Sequence, residues 1–392
     1  LPTRRRSRMM PFDLRLYLRL FRKGIRDARS SGRRRMLIVL AVVVPMLALV
    51  NAVCFALDHV FFPGFRRVAL REPIFVIGHA RSGTSLLHGL LAEDTDRFSW
   101  FMTYELVLPS ILQRKVVRLL GHLDRRLLGG VIDARIRAWE DRVFARGREM
   151  HPMSLTGPEE DEFLLTIPFS SSTVSVLFPD LRDTADYQAF DHGSLPAAKR
   201  RRVMRYYREC VRRQLYLNGS DRIHLSKNPL FCSKIPSLLE TFPDARFVVC
   251  LRSPYETMPS IAKMMKRNWK AAQCDAETLE AGLALLVESS VGFYLHPLAD
   301  LEGLPSDRAM VVRYEDLVER PAATVREVYA RFGLTFTSAA AERLAQAAKA
   351  ARAYRPDHRY ALAELGLGPE EVEARLAPLF ARYDWPRPEG VA

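Results

Sequence analysis

The sequence predicts an α/β fold, a parallel sheet flanked by helices, and three observations carry that expectation. First, Ile74-Phe75-Val76-Ile77 is a short β-branched and aromatic run, the composition of a strand buried on both faces, and it passes directly through a glycine-containing turn into helix-like Leu86-Leu87-His88-Gly89-Leu90-Leu91. Second, Ala245-Arg246-Phe247-Val248-Val249-Cys250-Leu251 repeats the strand signature and ends in Arg252-Ser253-Pro254. Third, such runs alternate with long stretches rich in Arg, Glu, Ala and Leu, as crossover helices over a parallel sheet require. At 392 residues and 48% hydrophobic, the chain can bury one large core and carry additions to it. No internal repeat is visible.

Taken in order, residues 1–35 hold much of the formal charge of +14. Their basic residues are interleaved with Phe12, Leu14, Leu16, Leu18, Leu20, Phe21 and Ile25, the pattern of an amphipathic helix on an anionic membrane surface. A nucleic-acid-binding arm would carry less apolar content, so nucleic acid is not the expected partner. Residues 36–65 form the next unit. Met36 to Leu57 is almost uninterrupted apolar sequence, broken only by Pro45 and Asn51, and is long enough for a membrane anchor. It is too long for the apolar core of an ordinary signal peptide. Pro45 suggests a re-entrant hairpin that leaves both basic flanks on one side of the membrane. Residues 66–392 form the expected catalytic domain.

The turn after the first strand, Gly78-His79-Ala80-Arg81-Ser82-Gly83-Thr84-Ser85, is built to hold an anion. Its glycines allow close backbone approach, the N–H groups opening a helix favour negative charge, and Arg81, Ser82, Thr84 and Ser85 add side-chain donors. Gly78 and Gly83 have the spacing of a P-loop, but Thr84 stands where a nucleotide triphosphatase needs lysine, which disfavours an ATP or GTP hydrolase. Further on, Arg252 leaves the carboxyl end of the second strand, where open α/β sheets bind ligands, and Ser260 follows about two helical turns later. Both can reach one phosphate, with Lys263 one turn beyond as an extra cation. Two other segments stand out: Ser226-Lys227-Asn228-Pro229, and Val311-Val312-Arg313-Tyr314-Glu315-Asp316-Leu317-Val318.

These four segments, in this order from Ile74 to about Gly333, resemble the sulfotransferase family, in the Arg-Ser-Gly-Thr form of tyrosylprotein sulfotransferases and their bacterial relatives. The resemblance implies a P-loop-like sheet and transfer of a sulfuryl group from 3′-phosphoadenosine 5′-phosphosulfate (PAPS) to a hydroxyl or amine. It makes Arg81, Ser82, Gly83, Thr84 and Ser85 the 5′-phosphosulfate loop, Arg252 and Ser260 the 3′-phosphate site, and Tyr314 a residue against the nucleotide. Lys227 becomes a catalytic lysine which, with Arg81, stabilises the bridging and leaving oxygens. By analogy with phosphoryl transfer, the protein's task is alignment and charge neutralisation.

The acceptor proton calls for a carboxylate base. Glu105, in Met102-Thr103-Tyr104-Glu105, follows the loop at nearly the place of the family's catalytic glutamate, although the flanking Gly-Glu-Glu is absent. The alternative lies in Gly157-Pro158-Glu159-Glu160-Asp161-Glu162, where Glu160 and Asp161 are acceptor-site candidates, although acidic residues opening a helix also serve its dipole. Arg114 to Met150 reads as amphipathic, basic helices covering the acceptor cleft. Arg352, Arg355, His358 and Arg359, before Tyr360, form a basic C-terminal segment without the family's Arg-Lys-Gly.

The five cysteines, Cys54, Cys210, Cys232, Cys250 and Cys274, form no Cys-x-x-Cys, and the histidines have no ligand spacing, so neither a disulfide framework nor a metal is expected. The expectation is therefore a membrane-associated, PAPS-dependent sulfotransferase acting on a membrane-proximal lipid, glycan or protein, and a homo-oligomer is compatible with it. An Arg- and Ala-rich, Lys-poor composition suits a high-GC bacterium, where the donor and thus the catalytic domain would be cytoplasmic. A P-loop kinase or phosphotransferase and a non-catalytic nucleotide-binding scaffold are the alternatives.

Overall fold

The computed structural model describes residues 10–144, 154–179, 181–353 and 362–387. Its centre is a parallel sheet of five strands: β1 Ile74–Ile77, β2 Phe98–Ser99, β3 Ile223–Lys227, β4 Arg246–Leu251 and β5 Ala309–Arg313, in the order β2-β3-β1-β4-β5. In the central strand, Val76 lies opposite Lys227 on one side and Val248 on the other. Period-two alternation divides β1 between two cores. Phe75 and Ile77 pack with Phe231, Phe242 and Phe247, while Ile74 and Val76 pack with Leu87, Leu91, Val248 and Val328.

Because every strand is parallel, every carboxyl end emerges on the same edge, and the sheet is covered by helices on both faces. Helix α3, Thr84–Ala92, starts directly at the turn after β1. The helix Pro254–Ala271 likewise follows β4, with Pro254 in its first turn where a missing N–H costs nothing.

The N-terminal part differs from its expected arrangement. In α1, Leu14–Asp27, the apolar residues Leu16, Tyr17, Leu20 and Phe21 are buried against the protein itself, with Phe21 5.2 Å from Phe178 between ring centroids. Only Leu14 and Leu18 of the expected lipid face are exposed. Residues 1–9, with their basic cluster, lie outside the described residues. The apolar segment is a single helix, α2, Ser31–Phe61, running continuously through Pro45, so the expected re-entrant hairpin is corrected to one unbroken helix. A proline within a long helix loses one hydrogen bond but need not end the helix when neighbouring packing holds it.

Candidate functional site

Four strand ends assemble the site along one edge of the sheet. From the β5 edge of the sheet inward, β5 leads into Tyr314, β4 into Arg252 and β1 into the Gly78–Ser85 turn; β3 ends at Lys227. All four sequence motifs therefore meet although they are separated by up to 236 residues in the chain (314 − 78).

The turn is tight for identifiable reasons. Gly78 has φ of +134°, and a Cβ there would stand 2.2 Å from the Cys250 carbonyl oxygen. Gly83 has φ of +92°, and a Cβ would stand 2.9 Å from the Tyr314 ring. Arg81 also takes a left-handed conformation, φ +75°, which is strained for a residue with a side chain and is the kind of cost that persists at functional sites. As at any helix start, the N–H groups opening α3 have no intrahelical acceptors, as an anion nest requires.

Around this nest the cations converge. Arg81 Nε donates to Ser260 Oγ at 3.1 Å, and Arg252 Nη1 donates to the Arg81 carbonyl at 3.3 Å. The Arg252 guanidinium lies over the Tyr314 ring, 4.0 Å from its centroid, and pairs with Glu256. Thus Arg81, Arg252, Ser260 and Tyr314 are one cluster. Ser82 closes the turn from inside, its buried hydroxyl donating to the His79 carbonyl at 2.6 Å, while Thr84 is buried and Ser85 is exposed in the first turn of α3.

Lys227 anchors the other half. It is 2% exposed, and its Nζ lies 3.0 Å from Glu160 Oε1 and 3.5 Å from Glu159 Oε1. Of those two side chains Glu160 is 24% exposed and Glu159 only 2%, so only Glu160 can also meet a solute. Asp161 accepts from Tyr207 and from His224 Nε2. Glu162 takes Lys234 Nζ at 3.1 Å on both oxygens and Asn228 Nδ2 at 3.1 Å. The helix that follows, Phe163–Thr166, has four residues, so these carboxylates serve buried donors rather than a helix dipole.

Glu105 lies beside this acidic segment, where the Thr103 and Tyr104 N–H groups donate to the Gly157 and Leu155 carbonyls at 3.2 and 3.0 Å. Helix α4, Thr103–Val107, buries it completely. Its Oε2 accepts from the Met102 N–H at 3.1 Å, and its Oε1 lies 3.7 Å from Arg114 Nη1, itself fully buried. These contacts cap a helix and balance a buried guanidinium.

Burial tunes the neighbouring groups. His88, one turn into α3, is lowered to about 4 by desolvation and by the nearby Lys227 charge, and its Nε2 has no hydrogen-bond partner among the described residues. His79, stacked on Tyr294 at 4.8 Å, is lowered to about 4 by desolvation. The Tyr207 hydroxyl is raised by burial and by Asp161. Sequence reading missed His88, His224, Tyr207 and Lys234. None of them belongs to a local pattern that marks it, Tyr207 in particular standing among Arg205, Arg208 and Glu209. Among the described residues no cluster of three His, Cys, Asp or Glu side chains could hold a metal. Residues 355–360 of the C-terminal basic segment, like Met150, lie outside the described residues.

The model of the sulfotransferase family matches residues 73–338, and the chain belongs to that family. Omega-hydroxy-beta-dihydromenaquinone-9 sulfotransferase Stf3 of Mycobacterium tuberculosis is 28% identical over 303 residues, covering 75% of this chain and 71% of the relative. Nodulation protein NoeE of Sinorhizobium fredii is 27% identical over 143 residues, 33% of each chain. Among solved structures, sulfotransferase STF9 from Mycobacterium avium superposes with a TM-score of 0.71 at 19% identity, covering 94% of this chain and 90% of that one. STF1 from Mycobacterium tuberculosis superposes with 0.60 at 21% identity, covering 93% and 92%. These two share the fold. The protein is an enzyme that transfers sulfuryl groups.

Proposed function

We propose that this sulfotransferase takes its sulfuryl group from PAPS and delivers it to a hydroxyl of a membrane-proximal lipid. The observation that carries the donor assignment is the convergence of Arg81, Arg252, Ser260 and Tyr314 beside the anion nest at the carboxyl edge of the sheet. A nucleotide with phosphate groups at two positions needs two cationic sites, and the nest with Ser82 to Ser85 serves one while Arg252 and Ser260 serve the other. Arg81, bonded to Ser260, stands between them. Tyr314, already stacked on Arg252, offers a flat face to the nucleoside.

On the acceptor side the base is Glu160 in preference to Glu105. Glu160 is partly exposed and touches Lys227, whereas Glu105 is fully buried in a helix cap. In the transfer, the acceptor oxygen forms a bond to sulfur as the bond from sulfur to the 5′-phosphate oxygen breaks. Glu160 takes the acceptor's proton, and Lys227 neutralises charge on the departing oxygen. Lys227 is also held by Glu159, which keeps the cation at the strand end as Glu160 turns to the acceptor.

The lipid acceptor is supported by the name of the mycobacterial relative, which acts on a menaquinone-derived lipid, and by the apolar N-terminal helix. We assign residues 66–392 as the catalytic domain, with residues 36–65 as its membrane-associated addition and residues 1–35 as a leading segment whose helix α1 packs on the body, and place the domain on the cytoplasmic side, where PAPS would be available.

Calorimetric titration with 3′-phosphoadenosine 5′-phosphate tests the donor site, with ATP plus magnesium as comparison. Magnesium-independent binding, lost in Arg252→Ala, is expected; preference for ATP with magnesium would overturn the donor assignment. Protease protection tests the orientation: the domain should be shielded in intact cells and cut in inverted vesicles.

A further inference from the structure

We propose that α2, together with helices α5, Ile111–Leu127, and α6, Val131–Phe144, forms one docking surface that lies in the plane of an anionic bilayer without crossing it. The proposal rests on the membrane-associated reading above, but not on the identity of the donor.

Helix α2 has the length of a membrane span, yet it is attached to the catalytic body along one stripe. Near its start Arg33 donates to the Ala272 carbonyl at 2.7 Å and to the Leu177 carbonyl at 2.9 Å. Midway, Asn51 donates to the Val107 carbonyl at 3.1 Å. Near its end Asp58 accepts from Ser110, Ile111 and Leu112 at 2.8 to 3.0 Å and from Arg213 Nε at 2.9 Å. Leu37, Ala48 and Phe55 fill the stripe between these anchors. From Arg33 to Asp58 the helix runs roughly 38 Å at 1.5 Å per residue, more than the hydrocarbon thickness of a bilayer, about 30 Å. A perpendicular α2 would drag the attached body, with its buried charges, into the membrane.

The opposite stripe is exposed and apolar, carrying Val42, Met46, Leu49 and Val53. Its neighbour α5 and the following α6 extend the same character. Leu119, Leu120, Leu127, Leu128, Ile132 and Trp139 are all exposed, with Leu127 at 70%. The tip of this hairpin is rigid, because Asp124 accepts from the Ile132 and Asp133 N–H groups at 3.0 Å. Most of the exposed large apolar side chains among the described residues lie on these three helices. Isolated exposed apolar residues are normal in a soluble protein; a concentration on adjacent helices is the mark of a binding surface.

Charge selects the occupant. Arg34, Arg35, Lys115, Arg125, Arg126 and Arg135 are exposed on the same helices, whereas of their carboxylates Asp58, Asp124 and Glu140 are buried, Asp133 is half-buried and Asp141 alone is exposed. Apolar side chains with a cationic surround fit anionic phospholipid better than a protein partner with an apolar face alone. The surface also adjoins the acceptor side. The Glu140 carboxylate on α6 accepts from the Leu155 N–H at 3.2 Å, and the segment beginning there leads to Glu159, whose N–H donates to the Phe101 carbonyl at 3.1 Å.

The full chain is floated with preformed phosphatidylcholine vesicles and with vesicles that also contain phosphatidylglycerol. We expect flotation mainly with the anionic vesicles, and about a tenfold loss for Leu127→Asp/Ile132→Asp and for Val42→Asp/Leu49→Asp. Titration with 3′-phosphoadenosine 5′-phosphate reports whether each variant is folded, and it fails separately if the donor reading is wrong; circular dichroism supplies the fold check in that event. Equal flotation of folded variants and wild type, equal binding to both vesicle types, or self-association without flotation would overturn the proposal. A second arm places Arg35→Cys or Phe61→Cys in vesicle-bound protein and applies a membrane-impermeant maleimide from outside. Docking in the plane predicts labelling at both ends of α2; protection of one end would mean a span and overturn it.

Discussion

The proposed donor and acceptor halves of the site are built by opposite means. On the donor side, each contribution comes from a short local motif at a strand end: a glycine turn after β1, an arginine after β4, a tyrosine after β5. Parallel pairing alone brings these together, since strands in register deliver their carboxyl ends to one edge. On the acceptor side, four successive acidic residues acquire their partners from distant segments: Lys227 for Glu159 and Glu160, His224 and Tyr207 for Asp161, Lys234 for Glu162. Those partners are buried, and buried ionised groups are tolerated only when paired. The donor half is thus readable from local spacing, whereas the acceptor half depends on the finished fold.

The sharpest way to break this comparison is to exchange the two glutamates. Glu160→Gln is expected to lower turnover by about 10² to 10⁴ with donor affinity retained. Glu105→Gln should leave turnover near wild type and reduce stability by about 1 to 3 kcal/mol, because it removes one side of a buried pair. Steady-state kinetics with thermal melts distinguishes them, and a turnover collapse in Glu105→Gln would restore that residue as the base.

The next effect spans both halves. His79 and His88 are neutral in the fold, each lowered to about 4, and ordinary imidazole titrates near 6.5. Between those values the unfolded chain binds more protons than the folded one, so stability falls as pH drops from about 6.5 towards 4. Above that window these groups add no pH dependence. The slope is at most about 1.4 kcal/mol per pH unit for each histidine. Denaturant titrations across this range should show the decline, and it should be shallower in His88→Gln; an unchanged slope would contradict the burial argument.

On the donor side alone, Arg252→Ala should weaken nucleotide binding by about 10- to 100-fold, through loss of one charge-assisted contact and its stacking on Tyr314. The smallest effect is expected for Gly83→Ala, about tenfold in donor affinity. The added methyl must displace Tyr314 and adopt a left-handed φ, at a cost of about 1 to 2 kcal/mol. Calorimetry with 3′-phosphoadenosine 5′-phosphate measures both, and turnover at saturating donor should change less than affinity.

Legibility followed the same division. The Gly78–Ser85 turn and Arg252 with Ser260 were visible because each joins a strand-like run to a helix start, Tyr314 was visible only through the resemblance, and the structure brings all three into one cluster. Lys227 was visible only through resemblance, because a lysine before Asn228-Pro229 has no physical signature of its own. Glu105 followed the same resemblance, but its local context, an N3 carboxylate returning to the Met102 N–H, is that of a helix cap. Helix α1 was misjudged because an amphipathic face identifies an apolar neighbour without saying whether it is lipid or protein. Here Phe169 and Phe178 occupy it.

By itself, the sequence determined the parallel α/β architecture, the glycine turn after its first strand and the presence of a long apolar helix. Those properties depend on residues close together in the chain, through strand composition, glycine geometry and period. Tertiary structure alone decided which carboxylate meets Lys227, that α2 continues unbroken through Pro45, and that one stripe of it is committed to the body at Arg33, Asn51 and Asp58. The physical reason is that a buried charge and an apolar stripe each need a partner, and only folding brings that partner into reach.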